Sequence, residues 1–157
     1  MTMRNLLGAL TLGMSGFAPA AAAAPHYPQI AAIDAQPTAA EAAIVRSVLG
    51  RSFGKEWSDY ERSGHRVGFT IGHGDLNGDG RPDLLVLFND PGFGYCGAAA
   101  CAGYAILATP QGYAAKPIDL AYFVERVVIL PTVHGGMHDL RYDDAHVVFK
   151  WNGKGYQ

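Results

Sequence analysis

The sequence is short of charge excess of either sign. Lys and Arg number 12 and Asp and Glu 14 among 157 residues. There is no basic patch and no acidic tail, so nothing in it attracts nucleic acid. It is also short of long apolar runs. The only extended one lies within residues 1–24, and its core is briefer than the roughly 20 residues a spanning helix needs. Catalytic signatures are missing too. Ser47, Ser52, Ser58 and Ser63 lie in or beside a helical region, without the glycine pattern of a nucleophile elbow. The glycines near residue 78 alternate with acids, which repel phosphate. Glu56 and Glu125 remain as a carboxylate pair, but nothing brings them together. These absences point away from an enzyme.

Residues 1–24 read MTMRNLLGALTLGMSGFAPAAAAA. Arg4 gives a positive start, Leu6 to Phe17 an apolar core, and Ala20 to Ala24 small-residue cleavage sites, the pattern of a secretory signal peptide. Proline directly after a cut is disfavoured, which places the cut after Ala22 or Ala23. No cysteine follows for lipid attachment. The expected location is periplasmic or secreted, with no membrane span after cleavage. About 130–135 residues then remain, enough for a single domain. In an oxidising compartment Cys96 and Cys101 are expected to form a disulfide. The loop they close is short, worth roughly 2 kcal/mol, and four intervening residues are not the two of a redox centre.

Residues 25–37 (PHYPQIAAIDAQP) are expected to be an extended, loosely ordered lead-in. The domain proper is placed at 38–157. Thr38 with Glu41 makes a capping box for a helix ended by Gly50, with Ile44, Val45, Val48 and Leu49 on its buried face. A second helical turn is expected at Glu56 to Arg62. From Arg66 the period becomes two: Val67, Phe69 and Ile71 alternate with Gly68, Thr70 and Gly72. Leu84 to Phe88 is a continuous apolar run, as in a central strand. Further strands are expected at Tyr104 to Thr109, Tyr113 to Ile118 and Val124 to Leu130 (ended by Pro131), with a hairpin of Leu140–Tyr142 and Ala145–Trp151 around Asp143-Asp144. Short turns favour antiparallel pairing. The predicted fold is α+β, an N-terminal helix on an antiparallel meander of five to seven strands, with a small β-barrel as the alternative.

Between the first two strands lies GDLNGDGRPDLL, residues 74–85. Counting from Asp75, side-chain oxygens fall at positions 1 (Asp75), 3 (Asn77), 5 (Asp79) and 9 (Asp83), with Gly80 at position 6. Alternate oxygens on a curled loop can converge on calcium, which takes six to eight oxygen ligands. Gly80 permits the bend, the carbonyl of Arg81 adds a ligand, and the Arg81 side chain, pointing outward, offsets surplus charge. The same letters also spell a metal-free polar turn. Position 12 is Val86 and the flanks are strands, so this is no EF-hand proper. Phe69 to Leu87 (FTIGHGDLNGDGRPDLLVL) instead resembles the calcium loop of FG-GAP and VCBS-type repeats, in which a strand enters D-x-[DN]-x-D-G-x-x-D and another leaves. The resemblance covers about 20 residues in one copy, too little for a propeller. It implies side-chain ligands Asp75, Asn77, Asp79 and Asp83 and a backbone ligand at Arg81. Cys96-Gly97…Cys101 and Trp151-Asn152-Gly153-Lys154…Tyr156 are similar to segments of small exported bacterial proteins that carry such a loop.

His134 and His138 lie four apart, but Gly135-Gly136 excludes the helical frame of zinc proteases. They are expected to be exposed turn residues, with zinc or copper held alongside Asp139 as the alternative. His73 is expected near the loop's outer shell or in solvent. The leading expectation is an exported, non-catalytic calcium-binding domain acting as an interaction module, with the aromatic segment Phe93 to Tyr104 as contact surface. The same aromatics could simply cover the sheet edge. Two alternatives stand beside it: an inhibitor or immunity protein whose envelope partner is a hydrolase, and a metal-dependent hydrolase.

Overall fold

The computed structural model describes residues 26–157 apart from Val124 and Asp144, so the signal peptide assigned to 1–24 lies outside the described residues. Two helices lead into antiparallel strands, and the α+β expectation holds. Helix α1 (Ala39–Phe53) opens at the capping box. The Thr38 hydroxyl oxygen accepts the Glu41 N–H, and the Glu41 carboxylate accepts the Thr38 N–H at 2.8 Å. The helix does not stop at Gly50. It runs one further turn to Gly54, whose φ of +54° breaks the right-handed run, and a glycine takes that conformation without steric cost. Val45, Val48 and Leu49 are buried and Ile44 is half-buried. Helix α2 (Lys55–Arg62) follows, close to the predicted second turn, and buries Trp57.

The described strands number nine and form three sheets, not one meander of five to seven, and no closed barrel is present among the described residues. Strands β1 (Gln29–Ala32), β8 (Arg126–His134) and β9 (Met137–Tyr142) make one sheet in the order β1-β8-β9. Strands β2 (Phe69–Gly74), β3 (Asp83–Phe88), β4 (Cys101–Ile106) and β7 (Ile118–Phe123) make a second in that order. A short hairpin, β5 (Ala108–Thr109) with β6 (Gly112–Tyr113), turns at Pro110-Gln111. Strand β7 was not anticipated beyond Ile118. It is an edge strand with two of its six residues buried, so its apolar signal is weak.

The layers are helix, four-stranded sheet and three-stranded sheet. Val45, Val48, Leu49 and Trp57 pack on Ile71, Leu84, Val86, Phe88 and Ile106. On the other side Leu85, Leu87, Ala105, Leu120 and Phe123 meet Ala31, Val127, Ile129, Leu140 and Tyr142. Strand β3 is therefore covered on both faces, and all six of its residues are buried. That is why its apolar residues run continuously instead of alternating.

The lead-in is extended, as expected, but it is bound into the fold. Gln29 to Ala32 pair with Ile129 to Arg126, Ala35 exchanges two backbone hydrogen bonds with Ile71, and Thr70 Oγ1 donates to the Ile33 carbonyl at 2.7 Å. Gly72 makes this crossing possible. A Cβ there would stand 2.2 Å from the carbonyl oxygen of Ala32. Pro131 does not end its strand. The β8–β9 register shifts between Ile129 and Val133, and β1 pairs only as far as Ile129, so no ladder needs the N–H that proline lacks. In place of the predicted last hairpin, Leu140 and Phe149 form an isolated bridge; Asp144 of its turn lies outside the described residues.

Candidate metal centre

The loop begins where the β2–β3 ladder ends, at the pair Gly74 and Asp83. Asp75 is 4% exposed and draws the chain around itself. Its Oδ1 accepts the N–H groups of Gly78 (2.8 Å) and Asp79 (3.2 Å), and its Oδ2 accepts that of Gly80 (2.9 Å). Gly80 has φ +81° with open space where a Cβ would stand, so it supplies the bend that the sequence calls for. Asn77 Oδ1 accepts the Asp79 N–H at 3.1 Å, while its Nδ2 donates to Asp79 Oδ2 at 3.0 Å. Leu76 points the other way and is fully buried in the inter-sheet core.

Asp83 is the first residue of β3 and is fully buried. Its Oδ2 accepts the Leu76 N–H at 2.8 Å and its Oδ1 the Ala108 N–H at 2.7 Å, tying the loop to β5. Burial pushes its carboxyl up from the ordinary value to about 6, against the pull of those two amides, and the charges of Asp75 and Asp79 add to the rise. Arg81 does not point outward. Its Nη2 folds back onto Asp79 Oδ2 at 2.5 Å, and its N–H donates to Asp79 Oδ1 at 2.9 Å. A cation entering the loop therefore competes with Arg81 for Asp79.

The donor set suits a hard cation. It is all oxygen, with three carboxylates, one amide and one carbonyl. A carboxylate has about four lone-pair sites, so Asp75 with three accepted bonds and Asp83 with two each retain capacity. The carbonyl of Arg81 accepts no hydrogen bond from the described residues. Among the described residues no group of three or more His, Cys, Asp or Glu side chains could hold a metal ion.

The histidines are not exposed turn residues as a pair. His138 is 6% exposed and directs Nδ1 to the Leu130 carbonyl at 2.6 Å. His134 has a half-exposed side chain, and its Nδ1 meets Asp139 Oδ1 at 2.6 Å. Asp139 is 1% exposed and also accepts the Thr132 hydroxyl at 2.6 Å. The two rings thus serve different partners. Thr132 donates to the carboxylate and not to the imidazole, and no hydroxyl or thiol among the described residues bonds His134, so this is not a nucleophile–base relay. His73 is exposed and pairs with Glu41 Oε1 at 2.9 Å, which joins β2 to the cap of α1. Glu56 accepts the Tyr95 hydroxyl at 2.7 Å, whereas Glu125 sits before β8 with its N–H on Asp143. Each has its own separate partners.

Cys96 and Cys101 form the expected disulfide. Of the aromatics in the expected contact surface, Phe93 is buried and Tyr95 and Tyr104 are half-buried. Phe53 meets Phe88, Phe93, Tyr95 and Tyr104 at centroid separations of 5.5, 5.8, 4.6 and 5.6 Å. These rings close the end of the helix–sheet core and leave Gly97 to Ala99 outward. Sequence reasoning missed Tyr27, Gln29 and His138, which surround the loop from elsewhere in the chain; Tyr27 and Gln29 lie in the lead-in set aside as loose.

No helix among the described residues is long and apolar enough to cross a membrane. Comparison of the chain with family models, curated proteins and solved structures finds no match.

Proposed function

We propose that this is an exported, non-catalytic calcium-binding domain in which Asp75, Asn77, Asp79, Asp83 and the carbonyl of Arg81 hold the ion and so brace the β2–β3 junction. The observation that carries the reading is the burial of two carboxylates, Asp75 and Asp83, in one turn with Asp79. Like charges gathered out of water are costly unless a cation or a proton joins them. Arg81 answers only Asp79, which leaves the two buried groups without a positive partner among the described residues. Calcium when bound supplies that positive charge and takes its ligands from oxygen. Asp75 curls the backbone, Asp83 anchors it to β5, and Asn77 with Asp79 closes the solvent side. Exported sites of this kind bind weakly, on the order of 10⁻⁴–10⁻³ M.

The test is a thermal melt of the purified chain, disulfide intact, in EDTA and then in millimolar calcium. Calcium at about 10 mM, ten- to a hundredfold above that Kd, stabilises the folded state by about 1.4–2.7 kcal/mol, a few degrees in Tm. The rise is expected to vanish in Asp75→Ala and Asp79→Ala and to survive in His134→Ala. An unchanged Tm at the highest calcium concentration would make the loop a plain polar turn.

A further inference from the structure

The first residue of the loop is gripped from 46 and 48 positions upstream. The Asp75 N–H donates to Gln29 Oε1 at 3.1 Å, and the Asp75 carbonyl accepts the Tyr27 hydroxyl at 3.0 Å. Both polar groups of this loop position are held by the lead-in. Burial and the neighbouring Asp75 charge push the Tyr27 phenol up to about 12, so its hydroxyl remains a donor at neutral pH. The Tyr27 ring stacks on His138, with centroids 3.9 Å apart and planes 21° from parallel. His138 is fixed in turn: its N–H donates to the Leu76 carbonyl at 2.7 Å and its own carbonyl accepts the Tyr156 hydroxyl at 3.0 Å.

The His138 ring points at the loop. A carbonyl only accepts, so Nδ1 facing Leu130 carries a proton. Nε2 has no hydrogen-bond partner among the described residues. It lies 3.2 Å from where a Cβ on Gly78 would stand. The ring of His138, a residue only 6% exposed, thus faces the acidic turn.

We propose that Tyr27 and Gln29 are positioning residues for the calcium loop, an inference that rests on the calcium reading above. Neither supplies a ligand. They hold the Asp75 peptide in the orientation from which its carboxylate faces the turn, so ordering that would otherwise oppose binding is already complete. The linkage is reciprocal: calcium in turn tightens the docking of the lead-in onto the loop.

The test uses the purified chain with its disulfide intact and Tyr27→Phe and Gln29→Ala, which leave the ring stack and the ligands in place. Titration calorimetry with calcium alone is read beside melts in EDTA. Each variant is expected to weaken calcium binding roughly three- to tenfold, the range of one lost hydrogen bond, in addition to lowering Tm in EDTA by a few degrees. Adding calcium to the unaltered chain is expected to slow amide exchange across residues 29–33. A Tm in EDTA that falls while calcium affinity stays the same would overturn the proposal and leave both residues purely structural. An unaltered chain that takes up no calcium would overturn the calcium reading and this inference with it. If Tyr27→Phe does not fold, Gln29→Ala alone decides.

Discussion

Tyr27 and Asp75 meet across 48 residues, hydroxyl to carbonyl at 3.0 Å. The contact joins the lead-in to the acidic turn, and through the Tyr27–His138 stack it reaches the β8–β9 hairpin as well. Three segments far apart in sequence therefore meet at one loop.

The lead-in is expected to carry stability. Ile33 is 1% exposed and packs in the inter-sheet core. Ile33→Ala should cost about 2–5 kcal/mol, the range for a large-to-small change in a core. Urea unfolding with an unchanged m-value would show it, and a loss below about 0.5 kcal/mol would mean that this segment does not pack.

The metal-free chain is expected to lose stability as pH rises from about 4 to about 6. The Asp83 carboxyl stands at about 6 in the folded state against 3.8 for the ordinary group. Between those values the folded chain binds more protons than the unfolded one, so unfolding becomes easier as pH increases. The loss is on the order of 2–3 kcal/mol once pH exceeds 6. Melts in EDTA across pH 4–7 would reveal the slope, and Asp83→Asn should flatten it. Saturating calcium should flatten it too, because the cation favours the ionised form.

Cys96 and Cys101 are five residues apart, so reduction should cost only about 2 kcal/mol on the chain-entropy account. The aromatic cluster around Phe53 and Phe88 remains to hold the region. Near-ultraviolet circular dichroism in a reductant should keep its native form while Tm falls by several degrees. Collapse of that spectrum would show that the disulfide holds the rings in place.

Gly72→Ala is expected to be more damaging than its size suggests. The added methyl would stand 2.2 Å from the Ala32 carbonyl and 3.0 Å from Ile33 Cγ1. The first neighbour is backbone and cannot rotate away, so the lead-in must lift from β2. A cost of at least the 1–3 kcal/mol typical of overpacking follows. A stability within 0.5 kcal/mol of the unaltered chain would place the lead-in elsewhere.

Local chemistry by itself determined several elements. The capping box at Thr38 and Glu41 starts α1 because its partners are three residues apart. The apolar run from Leu84 to Phe88 announced a buried central strand, since no exposed residue interrupts it. The spacing of Asp75, Asn77, Asp79, Gly80 and Asp83 was enough to mark a curled acidic turn, because these groups bond mainly to one another's backbone. Only the tertiary structure decided the rest. It split the strands into two stacked sheets, since alternation shows that a face is buried but not what buries it. It placed Gly72 under the Ala32 carbonyl and turned Phe93 inward, because a glycine or an aromatic reads alike at a surface and at a close approach. It buried His138 between Tyr27 and the loop and bound the lead-in to Asp75. Those contacts span tens of residues, and the free energy that forms them comes from packing the two sheets together, which no local pattern records.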